Sequence, residues 1–134
     1  MADEIRILLV DDKESHRRFI GDVLRSERYQ VIEAEDGEQA KEKLRQEKLL
    51  HLVILDQMMP RLTGTEFWNQ IKADEAFQHV WDLPVIFITA YPEDEAMRNL
   101  RAAGVPMLAK PLKDYHDILD AVRQVLQPSQ TGSQ

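Results

Sequence analysis

The chain has 134 residues, which is room for one domain of ordinary size. Its 43% hydrophobic and 31% charged residues are typical of a globular domain, and its longest apolar run is too short to span a membrane. Because it contains no cysteine and carries a net charge of -7 without a basic stripe, disulfides and thiolate metal sites are excluded and direct nucleic-acid binding is disfavoured.

The first four residues include two acidic ones, Asp3 and Glu4, and lack the basic and apolar parts of a signal peptide. We therefore expect a cytoplasmic protein that has no membrane partner. Five short apolar runs follow along the chain, and each is typical of a buried strand of a parallel sheet. They are residues 5–10, 31–34, 52–55, 85–88 and 107–109.

Segments with helical spacing separate these runs and follow the last one. The fourth looks the least anchored, since its apolar stripe is little more than Met97 and Leu100 among charged residues, so we expect its packing to be weak and its position adjustable. A long connection through Phe77 and Trp81 precedes the fourth strand. The predicted helices are a first with Phe19, Ile20, Val23 and Leu24 facing inward, a second over 37–47 with Ala40 and Leu44, a third starting near Gly64 with Phe67, Trp68 and Ile71, a fourth over 92–103 capped by Gly104, and a fifth over 115–126.

A regular fivefold alternation of strand and helix predicts an α/β fold in which helices cover both faces of a parallel sheet. We assign residues 1–127 to this domain. Residues 128–134, which are rich in Ser, Gln and Gly, are predicted to be a flexible tail or the stub of a linker.

Polar residues follow four of the strands at the point where each ends. Asp11 and Asp12 follow the first strand, Asp56 the third, Thr89 the fourth and Lys110 the fifth. The carboxyl ends of parallel strands meet at one edge, where ligands bind in open α/β sheets. Two carboxylates about 4 Å apart repel by roughly 4 kcal/mol at an effective dielectric near 20, so this edge needs a cation. Magnesium suits a few carboxylates and a phosphate oxygen best.

Beside a bound cation, an ionised aspartate can attack phosphorus and form an aspartyl phosphate. Lys110 would offset charge on the transferring oxygens, and the Thr89 hydroxyl would donate a hydrogen bond to them. The five glycines form neither a Walker loop nor a GxGxxG turn. The phosphoryl group is therefore expected to come from a partner protein or a small donor.

The chain closely resembles the receiver domain of two-component response regulators, of which chemotaxis regulators are an example. The resemblance covers residues 5 to 127 and rests on four motifs that occur in order at strand ends. These are Leu9-Val10-Asp11-Asp12, Asp56-Gln57-Met58-Met59-Pro60 followed by Gly64, Thr89-Ala90, and Lys110-Pro111.

This resemblance implies a flavodoxin-like (βα)5 three-layer sandwich with strand order 2-1-3-4-5, the order for which a receiver protein is itself a standard example. It also implies roles for the site residues. Asp56 would be the phosphoacceptor, Lys110 would contact the phosphoryl group and Thr89 would be the switch hydroxyl. Mg²⁺ would be bound by Asp12, Asp56 and the Met58 backbone carbonyl, with Asp11 acting largely through water, and the bond before Pro111 would be cis.

One position departs from the usual receiver pattern, and two others bear on how long the phosphate persists. Met107 stands where most receivers carry an aromatic switch residue, which makes the coupling from phosphate to the surface of the fourth helix, fifth strand and fifth helix less defined. Met58 and Tyr91 would flank the path of an attacking water without orienting it, which predicts slow self-hydrolysis of the phosphate. The four histidines, His16, His51, His79 and His116, lack ligand spacing and are expected to have surface or packing roles.

The sequence favours a phosphorylation-dependent signalling switch more than an enzyme. A sensor histidine kinase or phosphotransfer protein would donate the phosphoryl group, and a downstream effector or an attached output domain would receive the signal. Two alternatives stay open. One is a docking module that works without phosphorylation, and the other is a magnesium-dependent phosphohydrolase of the haloacid dehalogenase type, in which Met58 would occupy the position of the acid and base aspartate.

Overall fold

The computed structural model describes residues 4–127. The expectations for the acidic amino terminus at residues 1–3 and for the tail at residues 128–134 lie outside this range. None of the helices within residues 4–127 combines the length and apolar character needed to cross a membrane.

Strands and helices alternate along the described chain, as the sequence predicts. All five strand predictions agree with the structure to within one residue at each end. The elements are β1 (Arg6–Val10), α1 (Glu14–Ser26), β2 (Gln30–Ala34), α2 (Gly37–Gln46), β3 (Leu52–Asp56), α3 (Gly64–Lys72), a 3₁₀ helix (Glu75–Val80), β4 (Val85–Thr89), α4 (Glu95–Ala102), β5 (Met107–Ala109) and α5 (Tyr115–Leu126).

The five strands form one parallel sheet in the order β2-β1-β3-β4-β5. This confirms the flavodoxin-like order 2-1-3-4-5. The sheet register aligns Val10 with Leu55, and Thr89 with Ala109. The residues that follow β1, β3, β4 and β5 therefore share one edge of the sheet.

Alternate residues of the central strands enter two separate cores, because successive side chains of a strand point to opposite faces. On one face Leu8, Val53 and Phe87 pack against α2, α3 and α4. On the other, Leu9, Ile54 and Ile88 pack against α1 and α5. Both cores are apolar, and together with the sheet they make the three layers expected.

The start of the fourth helix differs from the prediction. It begins at Glu95, three residues later than expected, because Tyr91–Asp94 forms a turn closed by the Asp94 amide donating to the Tyr91 carbonyl at 3.1 Å. Asp94 keeps an extended ψ of 150°, which stops the helix from extending backward. Met97 is the buried residue of α4, and Gly104 takes the left-handed conformation with φ of 87°, as its position after the helix suggests.

One further detail corrects a sequence prediction, and another adds to it. Phe19 is predicted to face the core but is 37% exposed, since it lies about 100° around the helix axis from Ile20, at the flank of the buried stripe. The connection before β4, to which the sequence analysis assigns no secondary structure, forms the 3₁₀ helix. Phe77 is buried there, and the Trp81 indole donates to the Ile71 carbonyl at 2.8 Å, which ties the connection to α3.

Candidate functional site

The loop after β1 holds Asp11 in a buried and oriented position. Its side chain is fully buried, and its Oδ1 accepts a hydrogen bond from the Lys13 amide at 2.9 Å. The backbone carbonyl of Asp11 accepts a hydrogen bond from the Arg17 guanidinium at 2.7 Å, and Arg17 also pairs with Glu33 of β2 at 3.3 Å. The loop that carries the acidic pair is therefore held to both α1 and β2.

Asp56 ends the central strand β3 and is also buried, with 1% of its side chain exposed. Its Oδ1 accepts the Met58 amide at 3.3 Å and lies 3.3 Å from Lys110 Nζ. Burial and, next, the nearby charge of Asp11 raise the pKa of Asp56 to about 7, although Lys110 opposes this change. A cation at this edge would favour the ionised carboxylate.

Lys110 directs its ammonium group between two carboxylates. Nζ lies 3.3 Å from Asp56 Oδ1 and 3.5 Å from Asp11 Oδ2, and the side chain is 12% exposed. The Lys110 amide donates to the Thr89 carbonyl at 2.8 Å, which continues the pairing of β4 and β5, and the Lys110–Pro111 bond is cis as expected. One lysine cannot neutralise three aspartates, so the site keeps a negative charge.

The loop after β3 is held by Gln57 and Gly64. The Gln57 amide side chain accepts from the Thr65 amide at 2.9 Å and donates to the Thr65 hydroxyl at 3.1 Å. Gly64 packs so closely that a Cβ atom there would lie 2.6 Å from the Asp56 carbonyl oxygen. Since α3 thus starts against the end of β3, only glycine fits without a shift of the segment that carries Asp56 and Met58.

Thr89 is fully buried at the end of β4. Its hydroxyl accepts a hydrogen bond from the Tyr91 amide at 2.9 Å, which shapes the turn before α4. Tyr91 is 58% exposed and lies beside the cleft. The hydroxyl assigned to switching is therefore linked directly to the segment that leads into α4.

The acidic residues surround an open cleft of about 460 Å³. One carboxylate oxygen from each of Asp11, Asp12 and Asp56 lies within 4.8 Å of the others. Within residues 4–127, one buried oxygen of each of the three has no hydrogen-bond partner. Three converging carboxylates, each with an oxygen that lacks a hydrogen-bond partner, fit a hard divalent cation such as Mg²⁺. The cleft is lined by Asp12, Lys13, His16, Asp56, Met58, Ala90, Tyr91, Lys110 and Pro111.

The structure brings most of the predicted site residues together. The cleft brings together Asp11, Asp12, Asp56 and Lys110. Met58 lines the cleft, and Thr89 directly precedes Ala90, another lining residue. Their chemical roles stay predictions.

Sequence reasoning missed three residues that shape the site. Gln57 positions the loop after β3 and Arg17 the loop after β1, and neither role can be recognised from a sequence motif. His16 lines the cleft, whereas His51, His79 and His116 have the expected surface or packing roles. His16 lies in the first turn of the helix that follows Asp11-Asp12, and this position could have indicated that it lines the cleft.

A model of the response regulator receiver domain family matches residues 7–123. The chain belongs to this family. The receiver is 32% identical over 122 residues to sporulation initiation phosphotransferase F of Bacillus subtilis, with 90% of this chain and 93% of the relative covered.

Solved structures of receivers share the fold. Chemotaxis response regulator CheY4 of Vibrio cholerae has a TM-score of 0.79 at 26% identity, covering 92% of this chain and 100% of that one. The receiver domain of the sensor histidine kinase PA1611 of Pseudomonas aeruginosa has a TM-score of 0.76 at 27% identity, covering 92% and 98%, and a magnesium ion is coordinated in its active-site cleft.

Several relatives of the receiver are much longer proteins. The chain spans between 6% and 38% of the length of the first five curated relatives that it matches, among them transcriptional regulatory proteins and histidine kinases. Receivers therefore occur both in response regulators and within kinases.

Proposed function

We propose that this receiver accepts a phosphoryl group on Asp56 and thereby changes which partner it binds. The observation that carries the proposal is the environment of Asp56, a buried carboxylate with Lys110 Nζ 3.3 Å from one oxygen and with the other oxygen unpartnered among residues 4–127. One oxygen is thus held while the second is free to react. The receiver fold, in which this residue ends the central strand, supports the same role.

In the proposed step an Asp56 carboxylate oxygen attacks the phosphorus of the donor. A carboxylate–phosphorus bond forms, and the bond from phosphorus to the donor nitrogen or oxygen breaks, with its electron pair leaving on the donor. The Lys110 ammonium group already lies beside the carboxylate, so it would contact the phosphoryl oxygens during the transfer and offset their charge. The Thr89 hydroxyl would exchange its bond with the Tyr91 amide for one to a phosphoryl oxygen.

Magnesium is the proposed cofactor, and it would offset the negative charge of the carboxylates and of the phosphoryl oxygens. Asp12, Asp56 and the Met58 carbonyl would bind it directly, and Asp11 would act largely through water. The cluster of unpartnered oxygens supports this, as does the magnesium reported for the PA1611 receiver. Binding requires Asp56 to be ionised.

The proposed donor is a sensor histidine kinase or a phosphotransfer protein of the cytoplasm, and the receiver would be a switch rather than a turnover enzyme. The output would pass through the surface formed by α4, β5 and α5 to an effector or an attached output domain. Met97 is the one residue of α4 that is buried, so few apolar contacts resist a movement of this helix. Residues 1–127 would form the domain, and residues 128–134 a tail or linker.

Intact mass spectrometry after incubation with acetyl phosphate tests the chemical part of the proposal. We expect one added phosphoryl group that requires Mg²⁺ and disappears in Asp56→Ala. The exposed aspartate Asp22 of α1 gives a matched control, since Asp22→Ala should be phosphorylated like the parent protein. An adduct that persists in Asp56→Ala would contradict the assignment.

Docking without phosphorylation is a second candidate, and Met107 is the observation that favours it. Met107 is half-buried beside Arg101 of α4, with its sulfur 4.0 Å from the guanidinium, and has no aromatic ring to change position. Partner binding that is equal for the parent and Asp56→Ala would favour this candidate. The phosphohydrolase alternative is weaker, because Met58 offers no titratable group at the cleft.

A further inference from the structure

Arg101 reaches back from the last turn of α4 to the turn that precedes this helix. Its Nη1 donates a hydrogen bond to the Pro92 carbonyl at 3.0 Å, and its Nη2 lies 3.4 Å from Glu93 Oε1. Nη1 also lies 4.0 Å from the sulfur of Met107, the first residue of β5. One guanidinium therefore joins the turn at residues 91–94, the end of α4 and the start of β5.

The hydrogen bond to Pro92 is the most important of the three contacts. Glu93 is 79% exposed, so its ion pair with Arg101 contributes little, and a thioether sulfur such as that of Met107 is a weak acceptor. A charged donor at 3.0 Å from a backbone carbonyl makes a stronger bond than a neutral donor would. Arg101 thus holds the turn chiefly through the backbone of Pro92.

The same turn is also held by Thr89, whose hydroxyl accepts the Tyr91 amide at 2.9 Å. In the proposed step this hydroxyl moves to a phosphoryl oxygen and releases the Tyr91 amide. The bond from Arg101 to Pro92 then still ties the turn to α4. Because Met97 is the buried residue of α4, little apolar packing adds to the resistance of this bond.

We propose that Arg101 is a positioning residue that holds the turn at residues 91–94 in its resting arrangement, and that its bond to Pro92 breaks when Thr89 turns to the phosphoryl group. The inference rests on the proposed function and deepens it by naming a residue that regulates the switch. A contact made only in the resting state stabilises that state, so its removal shifts the population toward the switched state. Loss of Arg101 therefore raises the affinity for a phosphoryl group at Asp56.

Titration with beryllium fluoride in the presence of Mg²⁺ tests the proposal, because this phosphoryl mimic binds an aspartate reversibly and so reports an equilibrium affinity. Arg101→Ala should bind it about threefold or more tightly than the parent protein does. The Mg²⁺ affinity should change by less than about twofold, since Arg101 lies outside the cleft. A variant with a merely damaged fold would bind the mimic more weakly, so a gain in affinity separates the two roles.

Arg98 provides the matched control, because it is exposed and lies about one turn earlier on the same helix. Arg98→Ala removes the same charge and should bind the mimic like the parent protein. Amide chemical shifts give a second measurement that needs no ligand in the variants. The amides of Tyr91, Glu93 and Asp94 in free Arg101→Ala should shift partway toward their positions in the parent bound to beryllium fluoride, and those of Arg98→Ala should not.

Three other outcomes overturn the proposal. An unchanged or weaker affinity of Arg101→Ala for the mimic, with the parent still binding it, would refute the role of Arg101 and leave the proposed function in place. Equal gains in Arg101→Ala and Arg98→Ala would show that the charge of α4 matters and the bond to Pro92 does not. A parent protein that binds no beryllium fluoride in the presence of Mg²⁺ would remove the proposed function together with this inference.

Discussion

Lys110 and Asp56 are 54 positions apart in the sequence, and the lysine Nζ lies 3.3 Å from the aspartate Oδ1 at the edge of the sheet. Asp56 is buried and Lys110 largely so, and the lysine lowers the pKa of Asp56 without cancelling the effects that raise it. Burial and the charge of Asp11 outweigh the lysine, and the pKa of Asp56 rises to about 7. The site therefore suits a cation in addition to the Lys110 ammonium group, and the metal-free protein should show the raised pKa of Asp56.

The first prediction concerns stability against pH in the absence of metal. A carboxyl group whose pKa rises from 3.8 in the unfolded chain to about 7 in the folded one binds more protons when folded, so its contribution to stability falls as pH rises through this window. Asp56→Asn removes that loss. The unfolding free energy of the variant should exceed that of the parent by a margin that grows from pH 4 to pH 8, to at most about 4 kcal/mol.

Urea denaturation of both proteins at several pH values, with a chelator present, measures this margin. Adding Mg²⁺ at pH 8 should restore stability to the parent and have little effect on Asp56→Asn, because binding requires the ionised carboxylate. A margin that stays constant across the pH range would contradict the raised pKa.

The second prediction concerns the close packing of Gly64 against β3. Gly64→Ala would place Cβ 2.6 Å from the Asp56 carbonyl oxygen, so the loop must move. We expect a loss of about 1–3 kcal/mol in unfolding free energy and weaker Mg²⁺ binding.

Gly104 provides the matched control for that substitution. It has φ of 87°, and a Cβ atom there would meet open space, so Gly104→Ala should destabilise the protein by about 1–2 kcal/mol through backbone strain alone. The Gly104→Ala variant should bind Mg²⁺ like the parent protein. If both alanine variants bound Mg²⁺ equally well, Gly64 would have no specific role in placing the site.

The third prediction concerns Arg17, which holds the loop of the acidic pair. Its guanidinium donates to the Asp11 carbonyl at 2.7 Å and pairs with Glu33, so Arg17→Ala should cost about 1.5–3 kcal/mol in stability and lower Mg²⁺ affinity severalfold. The neighbouring Arg18 is 73% exposed and pairs with Glu14 one turn away, so Arg18→Ala should change neither quantity appreciably. Calorimetry and urea denaturation of the two variants compare them, and identical behaviour would refute a positioning role.

The fourth prediction concerns Thr89 as the link between the phosphate and α4. Its hydroxyl accepts the Tyr91 amide at 2.9 Å, and the turn that follows leads into a helix with one buried side chain. Thr89→Ala should still be phosphorylated but should lose the amide chemical-shift changes in residues 91–102 that phosphorylation produces in the parent. Thr89→Ser keeps the hydroxyl and should retain them. Unchanged shifts in Thr89→Ala would show that the signal takes another route.

Much of the fold could be predicted from sequence because the central strands are continuous apolar runs bounded by polar residues. The order of the strands came from the family resemblance and is confirmed. Local sequence patterns failed where a few tertiary or turn contacts determine the start of a helix or the exposure of a side chain. The turn at residues 91–94 makes α4 begin later than predicted. Phe19 lies just beside the buried stripe of α1, and its apolar character alone does not reveal on which side of the helix it lies.

The candidate site was also largely predictable, since its residues follow strands that share one edge. What sequence could not supply was the direction of individual side chains. The sequence does not reveal that His16 lines the cleft and lies 3.6 Å from the Asp11 carboxylate, because this contact depends on the turn from β1 into α1. Gln57 and Arg17 act through backbone groups of the loops, and such contacts depend on the folded geometry.

The central claim is that Asp56 is the residue that accepts phosphate, and chemical mapping of the modified residue tests it most directly. Borohydride reduces an aspartyl phosphate to homoserine, which tandem mass spectrometry locates within the peptide sequence. After incubation with acetyl phosphate and Mg²⁺, the account predicts homoserine at position 56 and at neither Asp11 nor Asp12. Homoserine at either of those two positions, or none at position 56 when a phosphoryl adduct is present, would contradict it.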